Sequence, residues 1–94
     1  MIRFIGESST GKTKKLITEA AHFSNSLLVC RNPKAMERKM QAYQVGYVDC
    51  ISYEEFLNKK DSLYHQSHIF FDDLEEFALV ASCGHLNGYG LTVD

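Results

Sequence analysis

No stretch of 18 apolar residues occurs anywhere in this 94-residue chain, so a membrane-crossing helix is not expected. The amino terminus lacks the apolar core of a signal peptide, because a polar, glycine-bearing stretch opens at residue 6; a cytoplasmic protein is the expectation. Cys30, Cys50 and Cys83 are odd in number and widely spaced, with no C-x-x-C pair for zinc or redox work, and read as free thiols. His22, His65, His68 and His85 show no metal-ligand spacing. No lysine or arginine follows Lys60, so residues 1–60 carry about +4 and residues 61–94 about −6. That acidic half disfavours non-specific nucleic-acid binding while leaving a local basic face open. No internal repeat or linker interrupts the chain, and its apolar and charged fractions, 45% and 23%, are ordinary for a globular protein. Residues 1–94 are expected to form a single domain.

What is present begins at Gly6-Glu7-Ser8-Ser9-Thr10-Gly11-Lys12-Thr13, which fits the Walker A pattern G-x-x-x-x-G-K-[ST] at every fixed position. Gly6 and Gly11 permit the backbone angles that turn successive N–H groups inward on a triphosphate. Lys12 supplies a point charge for the β and γ oxygens, and the Thr13 hydroxyl suits a bridging magnesium ion. The motif needs a strand before it and a helix after it. Residues 1–5 read as a short buried strand, and residues 12–23 as a helix with Leu16, Ile17, Ala20, Ala21 and Phe23 on one side.

The remaining elements alternate. Residues 27–30 are continuously apolar, as in a strand covered on both faces. Asn32-Pro33 reads as a cap and first helical position; Met36, Met40 and Tyr43 continue the helix, and Gly46 is placed to stop it. Residues 47–51 form a third expected strand. Ser52 and Glu55 form a capping box for a short helix through Lys60 that buries Phe56 and Leu57, and residues 61–67 read as a loop. Residues 68–73 read as a fourth strand, residues 74–83 as a helix burying Leu74, Phe77, Ala78 and Ala81, and residues 91–93 as a fifth strand. Such alternation implies an α/β fold with a parallel sheet covered on both faces.

Ile69-Phe70-Phe71-Asp72 matches the Walker B pattern, with His68 filling its first place weakly. In a parallel sheet Asp72 would emerge at a carboxyl end, beside the phosphate loop, where a carboxylate can hold magnesium opposite Thr13. Asp73 has two readings: it caps the next helix with Glu76, or it positions an attacking water as a catalytic base. Glu75 and Glu76 are expected to face solvent.

The Walker A loop, residues 27–33, the segment 50–56 and Phe70-Phe71-Asp72-Asp73, in this order, resemble the amino-terminal RecA-like domain of superfamily 1 and 2 helicases, within the extra-strand P-loop NTPases. They are also similar to small single-domain P-loop proteins of bacteriophages. The resemblance implies a three-layer sandwich with a five-stranded, mainly parallel sheet in the order 1-5-4-2-3, the strands numbered along the sequence. It implies nucleic-acid backbone contacts from residues 27–33 and from Ser52-Tyr53, and a sensor role for Thr92 or Asp94 near the γ-phosphate. The sequence ends at Asp94 and has no arginine after Arg38, so a second lobe with its arginine finger is not expected. Arg31, Lys34, Arg38 and Lys39 could supply a finger between subunits, a phosphate-contacting face, or a solvated helix face.

The functional expectation is an ATP-binding, magnesium-dependent NTPase, aided by self-association or a partner protein. Lys12 and Asp73 would be catalytic, Gly6 to Thr13 would bind nucleotide, and Thr13 and Asp72 would hold the metal. The alternatives are a non-hydrolysing nucleotide-binding regulator or adaptor and, more remotely, a small-molecule kinase. Phosphate release separates the first two, and transfer to an added acceptor tests the third.

Overall fold

The apolar run after the first helix becomes the middle of the protein. In the computed structural model, which describes residues 2–5, 11–63 and 68–91, strand β1 (Ser26–Cys30) is buried at all five positions. Ser26 satisfies its hydroxyl by donating to the Phe23 carbonyl at 3.0 Å. Strand β2 (Asp49–Ser52) pairs with β1 in parallel, Leu28 opposite Cys50. Strand β3 (His68–Phe71) pairs in parallel on the other side, Leu28 opposite Phe70, giving the order β2-β1-β3.

Helices cover both faces. On one, α1 (Lys12–Ala21) and α2 (Pro33–Tyr43) set Ile17, Ala20, Met36 and Met40 against Leu28 and Cys30, with Val48 closing the cluster. Burial of a side chain such as Ile17 or Leu28 contributes roughly 1.5–3 kcal/mol. The start of α2 follows from its cap: Asn32 Oδ1 accepts from the Ala35 N–H at 3.1 Å, and proline occupies the first turn. On the opposite face lie α3 (Tyr53–Lys59) and α4 (Leu74–Ala81), α3 continuing into a 3-10 turn (Lys60–Leu63). Here Phe71, Phe56 and Phe77 meet at ring separations of 4.6–5.9 Å, the two contacts of Phe56 being edge-on.

The five-stranded P-loop sandwich is not what forms. The described residues hold a three-stranded parallel sheet and four α-helices. Residues 2–5 join no strand: Ile2 and Ile5 are exposed, while Phe4 is half-buried over a shallow depression that it lines with Lys14, Lys15, Thr18 and Glu19 of α1. Leu91 is exposed and outside any strand, and residues 92–94, which include Thr92 and Asp94, lie outside the described residues. The physical reason is that a short apolar run fixes neither its secondary structure nor its partner, and both expected flanking strands rested on three to five residues. Coverage on both faces therefore holds for β1 alone. Ile69 of β3 is 37% exposed, and α4 has no fully buried residue, with Leu74 at 60%.

Helix ends also differ: α3 stops at Lys59 and α4 at Ala81, short of Lys60 and Cys83. Helix α1 stops at Ala21, short of Phe23, and α2 ends one turn before Gly46, with Gln44 taking the left-handed conformation (φ 55°) as its cap. Gly46 is needed for another reason: at φ 131°, a Cβ there would stand 2.7 Å from the Ala21 side chain. Among the described residues no helix is long and apolar enough to cross a membrane.

Candidate functional site

The carboxyl end of the sheet gathers the chemistry. The Asp72 N–H donates to the Val29 carbonyl at 2.9 Å, one residue beyond the end of β3, so the Asp72 backbone stays tied to the central strand. Helix α1 starts beside it. Gly11, with φ 78°, is the residue before the helix and caps it without a side chain, and the Lys15 N–H closes the first turn onto the Gly11 carbonyl at 3.1 Å. That places Thr13 in the first turn, where its hydroxyl donates to Asp72 Oδ1 at 3.2 Å across a sequence separation of 59 residues.

Electrostatics match the geometry. Burial pushes the Asp72 carboxyl above the usual carboxylate range; the Thr13 hydrogen bond and the charges of Lys39 and Lys12 pull it back, while Asp73 adds to the rise. The site is therefore a partly desolvated acid with incomplete cationic compensation. A hydroxyl and a carboxylate oxygen side by side are the hard donors that Mg2+ accepts, and Mg2+ characteristically fills its remaining positions with water and phosphate oxygens. Among the described residues no group of three His, Cys, Asp or Glu gathers, and Asp72 with Thr13 is the oxygen pair on which such a cation would rest. The donor set fits.

Asp73 serves as a cap. It adopts φ 61°, ψ 80°, and its Oδ1 accepts from the Glu76 N–H at 3.1 Å. Glu76 is half-buried and pairs with Arg31, contrary to its expected solvent-facing role. Arg31 stands immediately after β1, so this pair spans the sheet end from β1 to α4. Lys34, Arg38 and Lys39 are exposed along α2, with the field of Lys39 reaching both Asp72 and Cys30. Gly11, Lys12, Thr13, Asp72 and Asp73 are thus placed at one end of the fold, whereas Gly6, Glu7, Ser8, Ser9 and Thr10 lie outside the described residues.

Tyr53 is the residue that reading the sequence missed. The resemblance placed Ser52-Tyr53 on a nucleic-acid backbone. Instead Tyr53 is 1% exposed, and its hydroxyl donates to the main-chain carbonyls of both Asp72 and Asp73, the latter at 3.2 Å. Ser52 is engaged as well, its Oγ accepting from the Glu55 N–H at 3.1 Å. The available signal was a tyrosine directly behind an N-cap serine, a place where the side chain turns back over the sheet end.

No protein-family model, curated protein or solved structure matches the chain.

Proposed function

We propose that this protein binds a nucleoside triphosphate, ATP by preference, together with Mg2+, and acts as a magnesium-dependent NTPase that needs self-association or a partner for efficient turnover. The observation that carries the reading is the Thr13–Asp72 contact at 3.2 Å, between the last residue of a complete Walker A pattern and the acid of a Walker B pattern. In this reading the Gly6–Thr13 segment cradles phosphate with backbone N–H groups, Lys12 holds the β and γ oxygens, and Thr13 with Asp72 holds the cation. The cation supplies charge neutralisation of the phosphates and orients their oxygens. Asp73 is the candidate for positioning water, through the carboxylate oxygen that does not cap α4.

A specific observation favours the second reading, a nucleotide-binding regulator that does not hydrolyse. Asp73 Oδ1 already accepts the α4 cap bond, and Arg31, the basic residue closest in sequence to the sheet end, is paired with Glu76. Arg31 is thus engaged, and Asp73 has one of its two carboxylate oxygens committed to the cap. Calorimetry of ATP binding with Mg2+ and with EDTA tests the shared part: Lys12→Ala should abolish or strongly weaken binding while the circular dichroism spectrum stays unchanged, and unaltered affinity would reject the site. Steady-state phosphate release over a protein concentration series then separates enzyme from regulator.

A further inference from the structure

Two consecutive carbonyls, those of Asp72 and Asp73, converge on one buried hydroxyl. The donor, Tyr53, is the first residue of α3 and follows β2 directly, whereas Asp72 follows β3; the two strands lie on opposite sides of β1. Tyr53 therefore reaches past the end of the central strand to fasten its far neighbour. Its ring is fixed edge-on against Phe77 of α4, at 5.5 Å and 71°. The fastened turn needs restraint: Asp73 is a non-glycine residue at positive φ, a conformation that costs on the order of 1–2 kcal/mol and persists where surrounding contacts over-determine it.

We infer that Tyr53 is a positioning residue for the cation end of the site: its buried hydroxyl holds the Asp72–Asp73 turn so that the Asp72 carboxylate faces Thr13. The inference rests on the proposed Mg2+–nucleotide reading and assigns the role of aiming the metal-binding acid to a residue on a different strand–helix unit. A tyrosine suits the task because its hydroxyl stays protonated. Burial, then the negative charges of Asp72 and Asp73, hold it above the ordinary phenol range, so it is a donor at neutral pH. Partners that orient a metal-binding carboxylate typically alter metal affinity 10–100-fold when removed.

The test measures ATP affinity with Mg2+ and with EDTA for the parent protein and for Tyr53→Phe, Phe77→Leu and Asp72→Asn, and takes the ratio of the two affinities for each. The expected result is a ratio lowered roughly tenfold or more in Tyr53→Phe, lost in Asp72→Asn, and unchanged in Phe77→Leu, which loosens packing around the ring but keeps the hydroxyl. Incorporation of 4-aminophenylalanine at position 53, which retains an N–H donor, should restore part of the ratio. A parental ratio in folded Tyr53→Phe overturns the positioning role while leaving the nucleotide site standing. A parent protein with no Mg2+-dependent affinity overturns both. If phenylalanine at 53 abolishes folding, 4-fluorophenylalanine, which fills the space of the hydroxyl without a donor hydrogen, carries the test: a ratio lowered against tyrosine supports the inference, and an equal ratio rejects it.

Discussion

The Asp72 carboxylate accepts a hydrogen bond from the Thr13 hydroxyl, yet burial makes it harder to ionise than a free aspartate. With the folded-state pKa above the unfolded value, the native state holds its proton to higher pH than the unfolded chain does. Stability then falls as pH rises through the window between the ordinary carboxylate value and the raised one. At neutral pH the protein without ligand carries the cost of a partly desolvated charge. Asp72→Asn, which keeps an acceptor for Thr13, should accordingly raise the melting temperature at pH 7, with the gain shrinking as the pH is lowered through the acid range. Thermal melts over a pH series check this. A lower melting temperature for the variant at pH 7 would show that Lys12 and Lys39 more than compensate the burial.

The same pair makes a prediction at its other end. Thr13→Val keeps the shape of the side chain and removes the hydroxyl, whereas Thr13→Ser keeps the hydroxyl. Loss of one charge-assisted oxygen contact, on the scale of about 1.5–3 kcal/mol, corresponds to roughly 10–100-fold weaker Mg2+–ATP binding for the valine variant. The serine variant should stay within a few-fold of the parent. A weakened serine variant beside a valine variant of parental affinity would point to the methyl group, and to packing, as what matters at residue 13.

Legibility from sequence divides along a physical line. Local signals were readable: the Asn32-Pro33 start, the Ser52 cap at Glu55, the Asp73 cap at Glu76 and the buried run of β1 all depend on residues within four places of one another. The juxtaposition of Thr13 with Asp72 was readable because each motif states the strand or helix end at which it must sit. Partner choice was not. Residues 2–5 and Leu91 have the composition of strand ends, but composition says nothing of which edge accepts them, and in the fold they pair with none. Tyr53 escaped because its role depends on a contact across 19 and 20 residues that no periodicity encodes.

Gly46 offers a sharper test of packing between α1 and the loop after α2. A methyl group at 46 would meet the Ala21 side chain at 2.7 Å, and the backbone there has φ 131°, so strain and overlap act together. Gly46→Ala should cost about 1–3 kcal/mol of stability, read as a lower denaturant midpoint with an unchanged slope. Gly88→Ala is the matched control, because nothing lies within 4 Å of its Cβ position; it should stay within about 0.5 kcal/mol of the parent. A neutral Gly46→Ala would mean that α1 and the 44–48 loop separate readily.

Thiol chemistry discriminates between exposure and acidity as controls of reactivity. Cys30 and Cys50 lie on adjacent strands and interact; this pushes the Cys50 thiol up and draws the Cys30 thiol down, with burial opposing the fall at Cys30. Acidity alone would make Cys30 reactive, since the thiolate is the nucleophile. Cys30 is 1% exposed, however, and sits in the core cluster with Ile17 and Met36, so a reagent reaches it only when the sheet opens. Cys83, beyond the end of α4, is exposed. A disulfide-exchange reagent at pH 7 should label one thiol rapidly, the fast phase should vanish in Cys83→Ser, the half-buried Cys50 should react slowly because its thiol is pushed up, and Cys30 should follow at the rate of unfolding. A second fast phase that survives Cys83→Ser and disappears in Cys30→Ser would show that the end of β1 opens locally beside Asp72, and that the proposed nucleotide site rests on a mobile floor.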